Sequence, residues 1–195
     1  MTDLKTNSPA YNRTRIDGDT SLIELPWCGK INLRGDSNNN QFVKKVESTI
    51  GLALPVEANT CTKNDAATLY WLGPNEWLMH CQMADTENKI SSLKAVLSGL
   101  HSAVVEVTDY YTVLRLDGPD SSALLAKACP LDLHPDRFAN GACAQTRFGQ
   151  ASILLHKISH NTSHNISAAP AYDIQVRWSF TEYVWDYLAS GMNAL

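Results

Sequence analysis

Three histidines near the C-terminal end have a spacing that could hold a metal ion. His156, His160 and His164 recur at every fourth residue, so on a helix their side chains would share one face, as the members of a metal-binding pair do. The residues between them are largely Ser, Asn and Thr, which are poor helix formers. We therefore predict a polar loop over residues 159–169 and no metal site.

Two cysteines have the chemistry of a nucleophile, provided that a histidine acts as the base. Cys129 or Cys143 would pair with His80 or His134. A catalytic thiol needs a lowered pKa, which a helix N-terminus or neighbouring cations supply, and the sequence around either cysteine offers neither. We interpret both as residues that fill small gaps in the core or near the surface.

A third polar cluster contains two carboxylates, a histidine and an arginine. Asp132, His134, Asp136 and Arg137 could perform acid–base chemistry. The same residues fit a capped turn that enters a short helix at Pro135, which is the interpretation we favour. Because the chain also lacks the G-x-G-x-x-G, P-loop, H-E-x-x-H and G-x-S-x-G motifs, we predict no catalytic residue and no cofactor-binding residue.

Tryptophan and arginine side chains are the candidates for contact with a partner. Arg147, on a predicted strand, could clamp a carboxylate or a folate tail through two parallel hydrogen bonds, and a surface salt bridge or a subunit contact is an equal alternative. Tryptophan is enriched both in protein cores and in interface hot spots. We predict a subunit interface that includes Trp77, Arg147, Trp178 and Trp185.

The bulk composition disfavours several classes of protein. The chain has 195 residues, a formal net charge of −4 and 44% hydrophobic residues, as a globular protein does. The acidic balance disfavours nucleic acid as a partner, and no apolar run reaches the ~20 residues needed to cross a membrane. The N-terminus lacks the apolar segment of a secretory signal, and five cysteines without a C-x-x-C pair indicate reduced thiols. We therefore predict a cytoplasmic protein.

The predicted elements of the first half follow the order of a ferredoxin-like unit. Apolar residues recur with helical spacing in two segments and form short runs in the others. After an extended segment at 22–27, the elements are a strand at 30–34, a helix at 42–50, a hairpin of strands 67–72 and 76–81, a helix at 90–100 and a strand at 103–107. This β-α-β-β-α-β order is the split β-α-β motif.

The second half repeats this pattern. Its elements are a strand at 111–116, a helix at 123–129, a hairpin of strands 143–148 and 151–156, a strand at 173–176 and a final helix at 180–188. We align the hairpin that turns at Gly73 with the one that turns at Gly149. The sequence therefore predicts an α+β fold of duplicated β-α-β-β-α-β units. A flexible arm at 1–20 would precede a single domain at 21–195, with halves of about 21–108 and 109–195.

Several short motifs resemble those of one known family. Residues 72–78, LGPNEWL, resemble the L-G-P-[DN]-E-W-L signature of the sarcosine oxidase gamma subunit family. Residues 129–135 (CPLDLHP) and 141–146 (GACAQT) resemble its C-x-L-D-L-H-P and G-x-C-A-Q-T block. Further matches occur at 31–35, 116–119 and 177–188, so the likeness covers about residues 22–190. Several motifs in a fixed order are more specific than one motif alone.

The resemblance implies that this chain is part of a heterotetrameric bacterial enzyme. Such an enzyme oxidatively demethylates sarcosine to glycine and releases hydrogen peroxide with formaldehyde or methylenetetrahydrofolate. The resemblance implies alpha, beta and delta subunits as partners, with FAD, FMN, NAD, zinc and tetrahydrofolate on those partners and no cofactor here. It also implies a structural role for this chain and a fold similar to the folate-binding domain of the glycine-cleavage aminomethyltransferase.

Two other functions stay open at the level of sequence. Gamma-like chains also occur in related enzymes that oxidise other N-methyl amino acids, such as N-methylglutamate. A stand-alone folate-binding protein would use a deep cleft between the halves, with Arg147 or another cation at its mouth. The folate-binding iron–sulfur repair proteins are disfavoured, because residues 140–146 (NGACAQT) differ from their K-G-C-Y-x-G-Q-E motif.

Overall fold

The computed structural model describes Ala10, Arg13 and residues 15–158 and 169–194. Most of the predicted N-terminal arm lies outside the described residues, as do residues 159–168 of the predicted polar loop, with His160 and His164. Among the described helices, none combines the length and the apolar character needed to span a membrane.

The described residues form ten strands and four α-helices. In chain order they are β1 (Ser21–Glu24), β2 (Gly29–Arg34), α1 (Asn40–Ile50), β3 (Cys61–Lys63), β4 (Ala67–Gly73), β5 (Glu76–Cys81), α2 (Thr86–Val96), β6 (Ala103–Glu106), β7 (Tyr111–Asp117), α3 (Ser121–Ala126), β8 (Cys143–Phe148), β9 (Ala151–Ile158), β10 (Ala171–Arg177) and α4 (Thr181–Met192). The chain divides into two compact units. The first unit comprises Pro26–Thr108 and Gly141–Ala144, and the second comprises the segment up to Leu25, Asp109–Asn140 and Gln145–Leu195.

The first unit has the strand order of a ferredoxin-like fold. Its antiparallel sheet runs β3-β4-β5-β2-β6, so β2 lies between β5 and β6. The predicted chain order of strand, helix, hairpin, helix and strand is therefore confirmed. The structure adds one strand that is not predicted from the sequence, β3. It is an edge strand of three residues, and Cys-Thr-Lys has no apolar pattern.

Helix α1 shows how the local sequence builds the core of the first unit. The side chain of Asn39 accepts hydrogen bonds from two backbone N–H groups of the first turn, at 2.9 and 3.3 Å. Gly51 ends the helix in the left-handed conformation, with φ at 68°. Between these caps Phe42, Val46 and Ile50 recur at helical spacing and are buried. They pack in one cluster with apolar side chains of α2 and the sheet.

The second unit repeats the same sheet, with one strand taken from another part of the chain. Its strands run β8-β9-β10-β7-β1, which matches β3-β4-β5-β2-β6 position by position. Helices α3 and α4 follow β7 and β10 as α1 and α2 follow β2 and β5. The last position is filled by β1, which pairs antiparallel with β7. This extended segment is predicted in the first half, but its pairing with β7 places it in the second sheet.

The two hairpins that the sequence analysis aligns do not occupy the same place in their sheets. By position in the sheet, the β9–β10 pair corresponds to β4–β5, whereas the β8–β9 hairpin corresponds to β3–β4. The alignment of Gly73 with Gly149 is therefore wrong, because it is shifted by one strand along the sheet. Both turns are short and contain glycine, whereas the long connection from β9 to β10 carries no compact turn signal. The duplicated α+β arrangement itself is confirmed.

An ion pair joins the central strands of the second unit. Arg115 on β7 lies opposite Asp173 on β10, and its Nε and Nη2 atoms donate to the two carboxylate oxygens at 2.8 and 2.9 Å. The neighbouring strand places His156 opposite the same aspartate. A bidentate pair of this kind has strict geometry, so it helps to fix the register of the strands. His156 lies within β9, as the sequence analysis predicts.

Candidate partner-binding surface

Two of the four predicted interface residues have buried side chains. Trp77 is 0% exposed, and its indole Nε1 donates to the backbone oxygen of Pro55 at 2.7 Å. It belongs to the apolar cluster of the first unit, because alternate residues of β5 face the helices. Trp185 lies on the buried face of α4. Neither side chain offers surface to a partner, so we correct the prediction for these two residues.

The other two predicted interface residues are accessible. Arg147 is exposed on β8, next to the fully buried Phe148. Trp178 is half-buried in the single 3-10 turn that precedes α4. Their role as subunit contacts stays a prediction.

The two candidate nucleophiles contact polar groups other than the proposed histidine bases. The Cys129 sulfur lies 3.9 Å from the Thr146 hydroxyl. Cys143 donates to the backbone oxygen of Thr60 at 3.2 Å, and a hydrogen bond with Cys61 together with burial raises the pKa of its thiol. A raised pKa opposes thiolate formation, so the interpretation of Cys143 as a core residue fits its surroundings.

The polar cluster after α3 forms a turn. The backbone N–H of His134 donates to the Asp132 carboxylate at 3.0 Å. The backbone N–H of Asp136 donates to the ring Nδ1 of His134 at 3.3 Å. The backbone N–H groups of Arg137 and Phe138 both donate to the oxygen of His134, at 2.8 Å. The capped turn is therefore present, but the predicted helix at Pro135 does not form. Among the described residues, no group of three or more His, Cys, Asp or Glu is arranged to hold a metal ion.

The exposed side of α4 carries an aromatic surface. Helical spacing divides α4 into a buried face with Val184, Trp185 and Leu188 and an opposite face with Tyr183 and Tyr187, which are 37% and 38% exposed. These tyrosines border a shallow depression of about 520 Å³. We call this the α4 surface, defined by its lining residues Lys127, Tyr183, Asp186, Tyr187, Ser190 and Gly191.

Both tyrosines of the α4 surface are held in place by the second unit. The Tyr187 ring meets the buried Phe148 ring edge-on, with centroids 5.0 Å apart, and lies 6.3 Å from the Tyr183 ring. The Tyr183 hydroxyl accepts from the backbone N–H of Gln150 at 3.3 Å, and the Tyr187 hydroxyl donates to the backbone oxygen of Lys127 at 3.4 Å. Aromatic rings that are exposed but already ordered lose little entropy on binding, which suits them as interface anchors.

Asp186, one of the two charged residues that line the α4 surface, forms an ion pair. Asp186 forms two contacts with the guanidinium of Arg13, at 3.0 and 3.1 Å. Both side chains are exposed, so the pair contributes little to stability. The pair partly neutralises the charge of Asp186 beside the two phenol rings.

Gly149 gives a testable link between the β8–β9 turn and the α4 surface. Its φ is +54°, and an added Cβ would lie 2.2 Å from the Tyr183 hydroxyl oxygen. We expect Gly149→Ala to displace the Tyr183 ring and to lower the free energy of unfolding by about 1–2 kcal/mol, because alanine is strained at this φ. Urea denaturation measures the loss.

A matched control separates backbone strain from the clash. Gly141 also has a positive φ, +84°, but an added Cβ would meet nothing within 4 Å. Gly141→Ala should therefore lower the free energy of unfolding through backbone strain alone. In a Gly149→Ala, Tyr183→Phe double variant the hydroxyl is absent, so part of the free energy of unfolding lost in Gly149→Ala should be recovered. Equal losses in all three variants would contradict the close approach.

Comparison with known proteins identifies similar sequences over nearly the whole chain. The profile described as "Sarcosine oxidase, gamma subunit family" matches residues 34–193. The sarcosine oxidase subunit gamma of Corynebacterium sp. (strain U-96) is 25% identical over 174 residues, which cover 89% of this chain and 79% of that protein. The sarcosine oxidase subunit gamma of Arthrobacter sp. is 25% identical over 177 residues, with coverages of 90% and 81%.

Solved structures with the same fold agree with the duplicated architecture. A chain of the heterotetrameric sarcosine oxidase from Corynebacterium sp. U-96, in complex with pyrrole 2-carboxylate, superposes with a TM-score of 0.82 at 23% identity, covering 96% of this chain and 95% of that chain. The glycine cleavage system aminomethyltransferase T from Bartonella henselae superposes with a TM-score of 0.59 at 13% identity, covering 86% and 44%. At these identities the likeness concerns the fold, and it confirms the predicted similarity to the aminomethyltransferase fold.

Proposed function

The chain belongs to the sarcosine oxidase gamma subunit family, and on that premise we propose that it is the gamma subunit of a heterotetrameric sarcosine oxidase. The match over residues 34–193 is the observation that carries this proposal. The assembly would demethylate sarcosine oxidatively to glycine and release hydrogen peroxide with formaldehyde or methylenetetrahydrofolate. The partners of this chain would be the alpha, beta and delta subunits, in the cytoplasm.

We further propose that this subunit is structural. The contacts of its candidate catalytic groups support this role: the Cys129 and Cys143 thiols are buried, and His134 lies in an exposed turn with Asp136. FAD, FMN, NAD, zinc and tetrahydrofolate would bind to the partner subunits. The α4 surface is the best candidate for contact with one of them, since it combines ordered, exposed phenol rings with a shallow concavity.

The test compares the lone chain with the co-expressed complex. We expect the purified chain alone to be colourless and unable to oxidise sarcosine. We expect the same tagged chain, co-expressed with the subunits encoded beside it, to elute with flavin absorbance and to support sarcosine-dependent peroxide formation. Sarcosine oxidation by the lone chain would contradict a structural role.

The same preparation addresses the substrate. Gamma-like chains of related enzymes act with partners that oxidise other N-methyl amino acids, so peroxide or dye reduction should be measured with sarcosine and N-methylglutamate in parallel. We expect the higher kcat/KM with sarcosine. A higher kcat/KM with N-methylglutamate would show that the complex belongs to the related enzymes that oxidise other N-methyl amino acids. The role of this subunit would be unchanged.

A further inference from the structure

Two cysteines from distant parts of the sequence lie against each other in the first unit. Cys143 donates from its sulfur to the backbone oxygen of Thr60 at 3.2 Å, and Cys61 donates to that of Gly141 at 3.3 Å. The backbone N–H of Cys143 also donates to the oxygen of Asn59 at 3.2 Å. Each thiol therefore donates a hydrogen bond to a backbone oxygen close to the other cysteine. These hydrogen bonds hold the two segments side by side.

Both cysteines are free thiols, and Cys61 lies near enough to influence the pKa of the Cys143 thiol. Cys143 is fully buried, whereas Cys61 is half-buried at the start of the edge strand β3. The hydrogen bond with Cys61 and burial both raise the pKa of the Cys143 thiol, so Cys143 keeps its proton. Cys61 is the more accessible thiol and is therefore the one that a small oxidant reaches first.

We propose that Cys61 and Cys143 form a redox-active pair that hydrogen peroxide converts into a disulfide within the first unit. The Cys61 thiolate attacks one peroxide oxygen, the O–O bond breaks, and the departing hydroxide combines with the proton of the Cys61 thiol to give water. The sulfenic acid on Cys61 is then attacked by the Cys143 sulfur, and the displaced hydroxyl leaves as water with the Cys143 proton. In sum, two thiols and one peroxide give one disulfide and two waters, with sulfur oxidised and peroxide oxygen reduced.

The position of this pair gives the disulfide a structural consequence. A bond between Cys61 and Cys143 would close a long loop, and such a cross-link reduces the freedom of the unfolded chain. The oxidised chain should therefore unfold at a higher temperature than the reduced chain, and dithiothreitol should reverse the shift. The presence of peroxide near this subunit rests on the proposed function, but the reactivity of the pair does not.

The experiment exposes the purified full-length chain to hydrogen peroxide, blocks remaining thiols with N-ethylmaleimide and digests with trypsin. Residues 46–63 and 138–147 form tryptic peptides that each contain one cysteine. We expect these peptides to be joined, with a mass lower than their sum by two hydrogens. The number of titratable thiols in the denatured chain should fall from five to three.

Variants show whether the linkage is specific. Cys61→Ser should abolish the joined peptides, whereas Cys129→Ser should retain them. Peptide 46–63 carrying sulfinic acid on Cys61 without a link, or Cys61 joined to any cysteine other than Cys143, would overturn the proposal. Because peroxide is supplied from outside, this result stands apart from whether the co-expressed complex oxidises sarcosine.

Discussion

Replacing Trp77 with alanine is expected to lower the free energy of unfolding by about 3–5 kcal/mol, the range for removal of a buried aromatic side chain. The Trp77 side chain is 0% exposed, and its ring lies 5.8 Å from that of Phe42. The substitution would empty the centre of the first-unit core and leave the Pro55 oxygen without its 2.7 Å hydrogen bond. Urea denaturation followed by circular dichroism measures the change.

Two further variants show how much of the stability lost in Trp77→Ala is due to packing. Trp77→Phe keeps most of the apolar volume and loses the hydrogen bond to Pro55, so it should cost about 1–3 kcal/mol. Trp178→Ala removes a half-buried tryptophan and should cost less than Trp77→Ala. If Trp77→Ala changed stability by no more than Trp178→Ala, the placement of Trp77 at the centre of the core would be wrong.

Replacing Tyr183 and Tyr187 together with serine is expected to weaken assembly with the partner subunits by at least about 100-fold, because anchors of this kind each contribute on the order of 2 kcal/mol or more. Both rings are exposed and ordered on the α4 surface. The dissociation constant can be measured by biolayer interferometry with the immobilised variant and the remaining subunits. The melting temperature of the lone variant should be recorded, because Tyr187 also packs on Phe148.

The chain offers a matched control for this prediction. Tyr110 is 42% exposed and lies in the same unit, where its ring contacts Tyr111 and Arg177. Tyr110→Ser should leave the dissociation constant within about threefold of the original, as is usual for residues outside a hot spot. Ser190→Glu places a charge on the α4 surface without removing either ring, and it should also weaken assembly. Unchanged affinity in the double tyrosine variant and in Ser190→Glu would exclude the α4 surface from the interface.

The elements that the sequence predicts well are those with strong periodicity and clear ends. Phe42, Val46 and Ile50 specify one face of α1, and Asn39 and Gly51 specify its ends. The three-residue strand β3 carries no such pattern. The place of β1 in the second sheet depends on its pairing with β7, which is a tertiary contact that no local pattern encodes.

The candidate surface illustrates a different limit. Tryptophan is abundant in both cores and interfaces, so residue type alone cannot distinguish Trp77, which is buried, from Trp178, which is accessible. Tyr183 and Tyr187 are not among the predicted interface residues, although their four-residue spacing on the final helix is a signal that could have found them. That spacing puts both rings on one face, but only the position of α4 on its sheet decides that this face is exposed.

We propose that this chain works as one subunit of a four-subunit oxidase. The composition of that assembly can be measured by native mass spectrometry of the tagged chain, purified after co-expression with the subunits encoded beside it. We predict a complex with one copy of this chain and one each of the alpha, beta and delta subunits, carrying bound flavin. If the tagged chain purified alone or as a homo-oligomer, while the other subunits assembled and oxidised sarcosine without it, this chain would not be a subunit of the oxidase.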